Sequence, residues 1–130
     1  MLTEDTRTTD FTVIDTLLTA IEHGDLDRLR RCFAPGALTW HNNDEIEQDV
    51  NTVVAVLGGL CAASSSRRYT DRRITTVGSQ AFLQHTLTAE LHSGVRFRMP
   101  AMMRVEVDAD GLVARIEEYF DSAVLAVLAA

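Results

Sequence analysis

The spacing of apolar residues changes once along this chain, near Arg67, and this change restricts the folds that the chain can adopt. Before Arg67, apolar side chains recur every three or four residues, as at Ile14, Leu17 and Ile21, which predicts amphipathic helices. After Arg67 they alternate with polar side chains, which predicts strands. We therefore expect an α+β fold in which helices come first and a sheet follows.

The chain before Arg67 contains sequence signals for the ends of three helices and for one short strand. Gly24 ends the first helix, and Asp25 is a suitable N-cap for a second helix that Pro35-Gly36 ends. Residues 37–41 then predict a short strand. Asp44 follows with the spacing of a capping box, which predicts that a third helix begins there.

Short turn signals divide the second half into long strands. They lie near Gly78, at Ser93-Gly94 and at Asp110-Gly111, and loops this short predict antiparallel hairpins. Pro100 interrupts the strand after Ser93-Gly94, where it predicts a bulge or a sheet edge. Which residues around Pro100 face inward stays open at this point.

Composition excludes several classes of function. The chain has 130 residues, 46% of them hydrophobic, which fits one domain over residues 1–130 with a sizeable core. The net charge is -7 and there is no long basic run, so we expect no nucleic-acid partner. All twelve basic residues are arginine, which excludes lysine-based Schiff-base chemistry and a phosphate-loop lysine. We expect an activity that needs no cofactor.

Metal and membrane sites are also not expected. The two cysteines, Cys32 and Cys61, lie in apolar helical patterns and predict buried, reduced thiols. The four histidines have no spacing typical of a metal site. No apolar run approaches the ~20 residues that span a bilayer, and the N-terminal residues are polar rather than signal-like, so we expect a cytoplasmic protein.

Two titratable residues interrupt apolar alternation on separate strands. Glu118 follows Leu112, Ala114 and Ile116 in one pattern, and His85 interrupts a second pattern of alternating apolar residues. If these are strands, both side chains enter the same apolar interior. A carboxylate there is expected to have a raised pKa and is a candidate general acid or base.

Two motifs, Trp40-His41-Asn42 and the run at 116–121 (Ile-Glu-Glu-Tyr-Phe-Asp), together with the order of elements, carry a family resemblance. The chain resembles the nuclear transport factor 2-like superfamily, which includes ketosteroid isomerases, SnoaL-like polyketide cyclases and limonene-1,2-epoxide hydrolase. The resemblance implies a cone-shaped, cystatin-like α+β barrel, with three N-terminal helices packed in a curved antiparallel sheet.

Within that superfamily, the two motifs are most similar to those of the epoxide hydrolases. The similarity implies roles for Trp40, Asn42 and Glu118 around a nucleophilic water. His85, Thr86 and Leu87 stand where those hydrolases have an Arg-x-Asp pair. The resemblance therefore implies the scaffold and the water-holding Asn42, but not the acid that protonates an epoxide.

We interpret the chain as a small, cofactor-independent enzyme that moves protons on a hydrophobic small molecule by isomerisation, cyclisation or hydration. Glu118 would be the general acid or base, His85 its partner and Asn42 a polarising group. The alternative is a non-catalytic ligand-binding or protein-interaction module on the same scaffold. The residues expected to line the pocket are Trp40, Leu87, Met102, Ile116 and Phe120.

Structural roles compete with these assignments. Glu118 could pair with Arg98 or Arg115, and His85 could be a hydrogen-bonded core residue. Asn42 could form a cap or an Asx turn. His41 alternates with its neighbours and is expected on the face opposite to the pocket. The orientations of two possible oxyanion donors stay open at this point: Tyr69 and Tyr119.

A homodimer is expected as well. An apolar strand face in addition to the cavity side would be exposed to water in a monomer. The residues assigned to this face are Val95, Phe97, Met103, Val105 and Val107.

Overall fold

A computed structural model describes residues 8–129 of the chain and shows an α+β fold. Residues 1–7, which entered the expectation about signal sequences, lie outside the described residues. The elements, in chain order, are α1 (Thr12–His23), α2 (Leu26–Arg31), β1 (Phe33–His41), β2 (Glu47–Asp49), α3 (Val50–Ala63), β3 (Ser64–Val77), β4 (Gln80–Leu91), β5 (Arg96–Val107), β6 (Val113–Phe120), a 3₁₀ turn (Ser122–Leu125) and α4 (Ala126–Ala129).

The six strands form one curved, unclosed sheet against which the helices pack. Their order is β2-β1-β6-β5-β4-β3. The hairpins predicted from the turn signals join β3 to β4, β4 to β5 and β5 to β6. The pairing of β1 with β2 is antiparallel as well, whereas β1 and β6 run parallel. Parallel neighbours need a long crossover, which the intervening chain supplies.

The end of α1 and the start of α2 lie where the sequence signals predicted them. Gly24 has φ 68°, a left-handed conformation, and its N–H bonds the carbonyls of Ala20 and Ile21 at the end of α1. The Asp25 side chain accepts a hydrogen bond from the N–H of Arg28 and caps α2. The buried side of this pair of helices packs on the sheet, and Leu29 is fully buried.

The strand after α2 is longer than predicted. The helix ends at Arg31, and β1 begins at Phe33, so Pro35-Gly36 lies within the strand rather than at the end of the helix. Gly36 has φ 78°, and the pairing of β1 with β6 shifts register between Phe33 and Leu38. This irregularity is compatible with a proline and a left-handed glycine inside a strand.

The third helix does not begin at Asp44. The Asp44 carboxylate accepts a hydrogen bond from the N–H of Ile46, and Glu45 has φ 57°, which a helix does not permit. Residues 47–49 pair with β1 instead, and Asp49 caps a helix that begins at Val50. The apparent capping box is therefore an Asx turn followed by a short edge strand.

Strand β5 runs in register with β4 on both sides of Pro100, so the predicted bulge is absent. On the other side, pairing with β6 begins only at Ala101, so Pro100 lacks a partner there. Alternation continues through Pro100 and places the odd-numbered residues inward. Phe97, Met103, Val105 and Val107 are consequently buried inside the chain.

This burial removes the argument that was given for a homodimer, because only Val95 of the five assigned residues is exposed. The homodimer itself stays a prediction. None of the helices between residues 8 and 129 combines the length and the hydropathy of a membrane-spanning segment.

Candidate active site

Two adjacent cavities, which share part of their lining, lie between the helices and the sheet. The inner chamber has a volume of about 80 Å³ and is bounded mainly by buried core residues such as Leu17, Leu29 and Val53. The outer chamber has a volume of about 420 Å³ and reaches partly exposed residues, including Leu128 near the C-terminus. Glu118 is part of the wall of both chambers, so it lies where they meet.

Each oxygen of the Glu118 carboxylate contacts one imidazole. The Nε2 atom of His41 lies 3.3 Å from Oε1, and the Nε2 atom of His85 lies 3.2 Å from Oε2. His41 is opposite Glu118 in the parallel β1–β6 pair, which brings the two residues together. We call these three residues the carboxylate–histidine cluster.

His85 reaches Glu118 across strand β5. Its partner on β5 is Ala101, whose methyl group leaves room for the imidazole to pass over the strand. The His85 side chain is fully buried, and its ring packs edge-on against Tyr69 with 5.1 Å between ring centroids. Among the described residues, its Nδ1 atom has no hydrogen-bond partner, so the tautomer with Nε2–H donating to Glu118 fits the geometry.

The prediction of a raised pKa for Glu118 was wrong. Burial raises the pKa of this carboxyl group, but hydrogen bonds from His41 and His85 outweigh burial and lower the pKa from 4.5 to about 2. Glu118 is therefore ionised at neutral pH. The sequence pattern revealed the burial, whereas the two compensating donors come from other strands.

The Asn42 side chain bonds the backbone of β6 and does not line either chamber. Its side-chain NH₂ donates to the carbonyl of Phe120 at 3.1 Å, and its side-chain oxygen accepts from the N–H of Phe120 at 3.0 Å. Its own N–H donates to the carbonyl of Glu118. The amide is thus engaged in joining β1 to β6, which holds His41 beside Glu118, and the predicted polarising role is not supported.

The predicted pocket residues divide between the two faces of the sheet. Leu87 and Phe120 line the outer chamber, and Ile116 lines the inner one. Trp40 and Met102 do not line either chamber, because strand alternation points them to the outer face, where Trp40 packs on Tyr119. Their assignment to the pocket was wrong.

His41 and Tyr69 are the cavity residues that sequence reasoning missed or left open. Both line the two chambers, so the expectation that His41 faces away from the pocket was wrong. The buried Ala37 and Thr39 alternate with His41 on β1 and could have indicated its direction. Burial first and Glu118 second raise the pKa of Tyr69, so its phenol stays a neutral hydrogen-bond donor.

Among the described residues, neither Arg98 nor Arg115 forms the ion pair with Glu118 that was considered. Arg104 and Arg115 bind the neighbouring Glu117, and Arg115 also forms a two-point contact with Glu47. Hydrogen bonds from Arg104 and then Arg115 lower the pKa of Glu117 to about 2. Alternation places Glu117 on the outer face, so it provides a matched control for Glu118.

Comparison with solved structures shows which class of fold this is. IdmH from Streptomyces antibioticus, a candidate polyketide cyclase, is similar with a TM-score of 0.76 and 21% identity over 92% of this chain and 97% of that one. AclR from Streptomyces galilaeus, a candidate hydroxylase, has a TM-score of 0.76 and 16% identity over 90% and 92%. An NTF2-like protein of unknown function from Burkholderia pseudomallei has a TM-score of 0.78 and 14% identity over 95% and 100%.

These likenesses define the nuclear transport factor 2-like fold, as the sequence indicated. The SnoaL-like domain family matches residues 14–116, and the chain belongs to that family. No curated protein matches the sequence. The family match includes His41 and His85 but ends before Glu118, so the place of Glu118 in the site rests on the geometry of this chain.

Proposed function

We propose that this protein is a small enzyme that transfers a proton on a hydrophobic small molecule, in an isomerisation, cyclisation or hydration. The observation that carries the proposal is the ionised Glu118 carboxylate at the junction of two largely apolar chambers, with one imidazole on each oxygen. SnoaL-like membership and enzyme-like structural neighbours support the class of activity.

The cluster, rather than one residue, is the proton-exchanging unit in this proposal. Groups in such close contact titrate together, and a proton taken from the substrate is shared among the carboxylate and the imidazoles. Glu118 and His41 line the chambers and contact the substrate. His85 is fully buried and holds the second carboxylate oxygen, so it is a positioning residue.

Tyr69 supplies the complementary group. Its neutral phenol lies in the wall of both chambers and donates a hydrogen bond to an oxygen of the substrate. Negative charge that develops on this oxygen when a neighbouring carbon loses a proton is thereby stabilised. The cluster accepts a proton, and Tyr69 donates a hydrogen bond to the substrate oxygen. Together these two roles fit a reaction that removes a proton next to a carbonyl.

The experiment measures deuterium uptake by an apolar ketone. Butyrophenone is incubated with the protein in D₂O, and ¹H NMR follows the loss of the protons beside its carbonyl. We expect wild type to accelerate this exchange over buffer, and Glu118→Gln to reduce the acceleration by ~10²-fold or more. The Glu117→Gln control, on the outer face, should keep the wild-type rate. An unchanged rate in Glu118→Gln would contradict the proposal.

The second candidate is a non-catalytic ligand-binding module, and one observation favours it. With a pKa of about 2, Glu118 is a weak base on its own. Under this alternative the cluster serves only to orient a bound molecule. Binding of butyrophenone without any accelerated exchange in wild type would establish the module and reject the enzyme.

A further inference from the structure

The inner chamber is a narrow, largely apolar space beyond the carboxylate–histidine cluster. Its volume of about 80 Å³ equals roughly three waters at ~30 Å³ each, which accommodates a short aliphatic chain of about three carbons. Apolar side chains make most of the wall, among them the buried Leu17, Leu29, Phe33, Val53 and Ile116. A polar group placed there would lose its hydrogen bonds to water.

The charges around the two chambers are of one sign. Among the residues that line them, Glu118 and Asp44 are acidic, His41 is the sole histidine, and none is arginine. Arg104 and Arg115 are bound to Glu117 rather than to the cavity. An anionic group inside the cavity would thus face the Glu118 carboxylate with no permanent cation to compensate it.

Because the cluster lies between the chambers, a ligand that reaches it can extend to both sides. We infer that the substrate is an uncharged, elongated molecule whose slim aliphatic end passes the cluster and fills the inner chamber. Its bulkier end occupies the outer chamber of about 420 Å³. This inference deepens the proposed function and depends on it only for the reaction at the cluster.

A homologous series of ligands tests the inference without any need for turnover. Phenyl n-alkyl ketones from acetophenone to octanophenone are titrated into the protein by calorimetry, with the phenyl group expected in the outer chamber. Affinity should rise about fourfold per added methylene, which corresponds to ~0.8 kcal/mol per CH₂. The rise should stop once about three methylenes have filled the inner chamber.

Two conservative variants should change the alkyl length at which the affinity stops rising, which we call the stopping point, and a third variant is the control. Val53→Leu adds one methylene to the inner wall, so the rise should stop one carbon earlier, and Ile116→Val should extend it by one carbon. Leu60→Val removes one methylene from the outer wall and is the matched control, which should not move the stopping point. Because the changes at 53 and 116 act in opposite directions, a general loss of stability cannot imitate the pattern.

The charge requirement has its own pair of probes. Butyrophenone and 4-oxo-4-phenylbutanoate differ only in a carboxylate in place of the terminal methyl group, and the anion should bind at least ten times more weakly. Equal affinity of the two probes, or an alkyl-length dependence that neither inner-wall variant moves, would overturn the inference. The proposed function is tested separately, by deuterium exchange in wild type and in Glu118→Gln.

Discussion

Replacing Glu118 by glutamine should lower the free energy of unfolding relative to wild type. The size of this change and its pH dependence can be derived from the contacts within the carboxylate–histidine cluster. The folded-state pKa of about 2 lies below the ordinary value of 4.5. At ~1.4 kcal/mol per pKa unit, this difference corresponds to a contribution on the order of 3 kcal/mol to the free energy of unfolding at neutral pH. The side chain is only 14% exposed, so solvent screens the interaction weakly.

The direction of the pH dependence follows from proton binding. Between pH 4.5 and about 2, the unfolded chain binds a proton at Glu118 more readily than the folded chain does. The contribution is therefore complete above pH 4.5 and is lost as the pH falls through about 2. Glutamine cannot titrate, but it retains the shape and can still hydrogen-bond an imidazole. We expect Glu118→Gln to be less stable at pH 7 by up to ~3 kcal/mol, with the difference from wild type shrinking towards pH 2.

Urea unfolding of both proteins, at a series of pH values between 7 and 2, measures this difference. Glu117 also has a pKa of about 2, but it is present in both proteins and cancels from the comparison. Glu117→Gln should likewise be less stable than wild type at pH 7, with a difference that shrinks towards pH 2, while ligand binding stays intact. A Glu118→Gln variant that is as stable as wild type at every pH would refute the argument that imidazoles stabilise the carboxylate.

Two further substitutions test the elements that position the site. Asn42→Ala removes two side-chain hydrogen bonds to Phe120 and should lower the free energy of unfolding by roughly 1–3 kcal/mol, measured by urea titration; no change would show that this contact does not hold β1 to β6. Arg67→Ala removes bonds to the carbonyls of Ile21, Glu22 and Cys61 at the ends of α1 and α3, so we expect a loss of more than ~2 kcal/mol and a clear decrease in Tm. Arg68→Ala, on the exposed side of β3, is the control and should change Tm little.

Local sequence signals determined the order of the first three helices and the long strands, and several of their ends. A glycine such as Gly24 ends a helix because it adopts a left-handed conformation without a steric cost, and Asp25 caps the next helix through its own side chain. Strand alternation likewise identified Glu118 and His85 as polar groups on an apolar face. These signals depend on neighbours within a few residues, so they can be read from the sequence.

The tertiary structure decided which partners these groups meet. The parallel pairing of β1 with β6 places His41 opposite Glu118, and this contact lowers a pKa that burial alone would raise. The same pairing engages Asn42 with the backbone and turns Trp40 to the outer face. Alternation along a strand defines two faces but does not say which one is inside, and the partner strand is set by packing between segments that are distant in the chain.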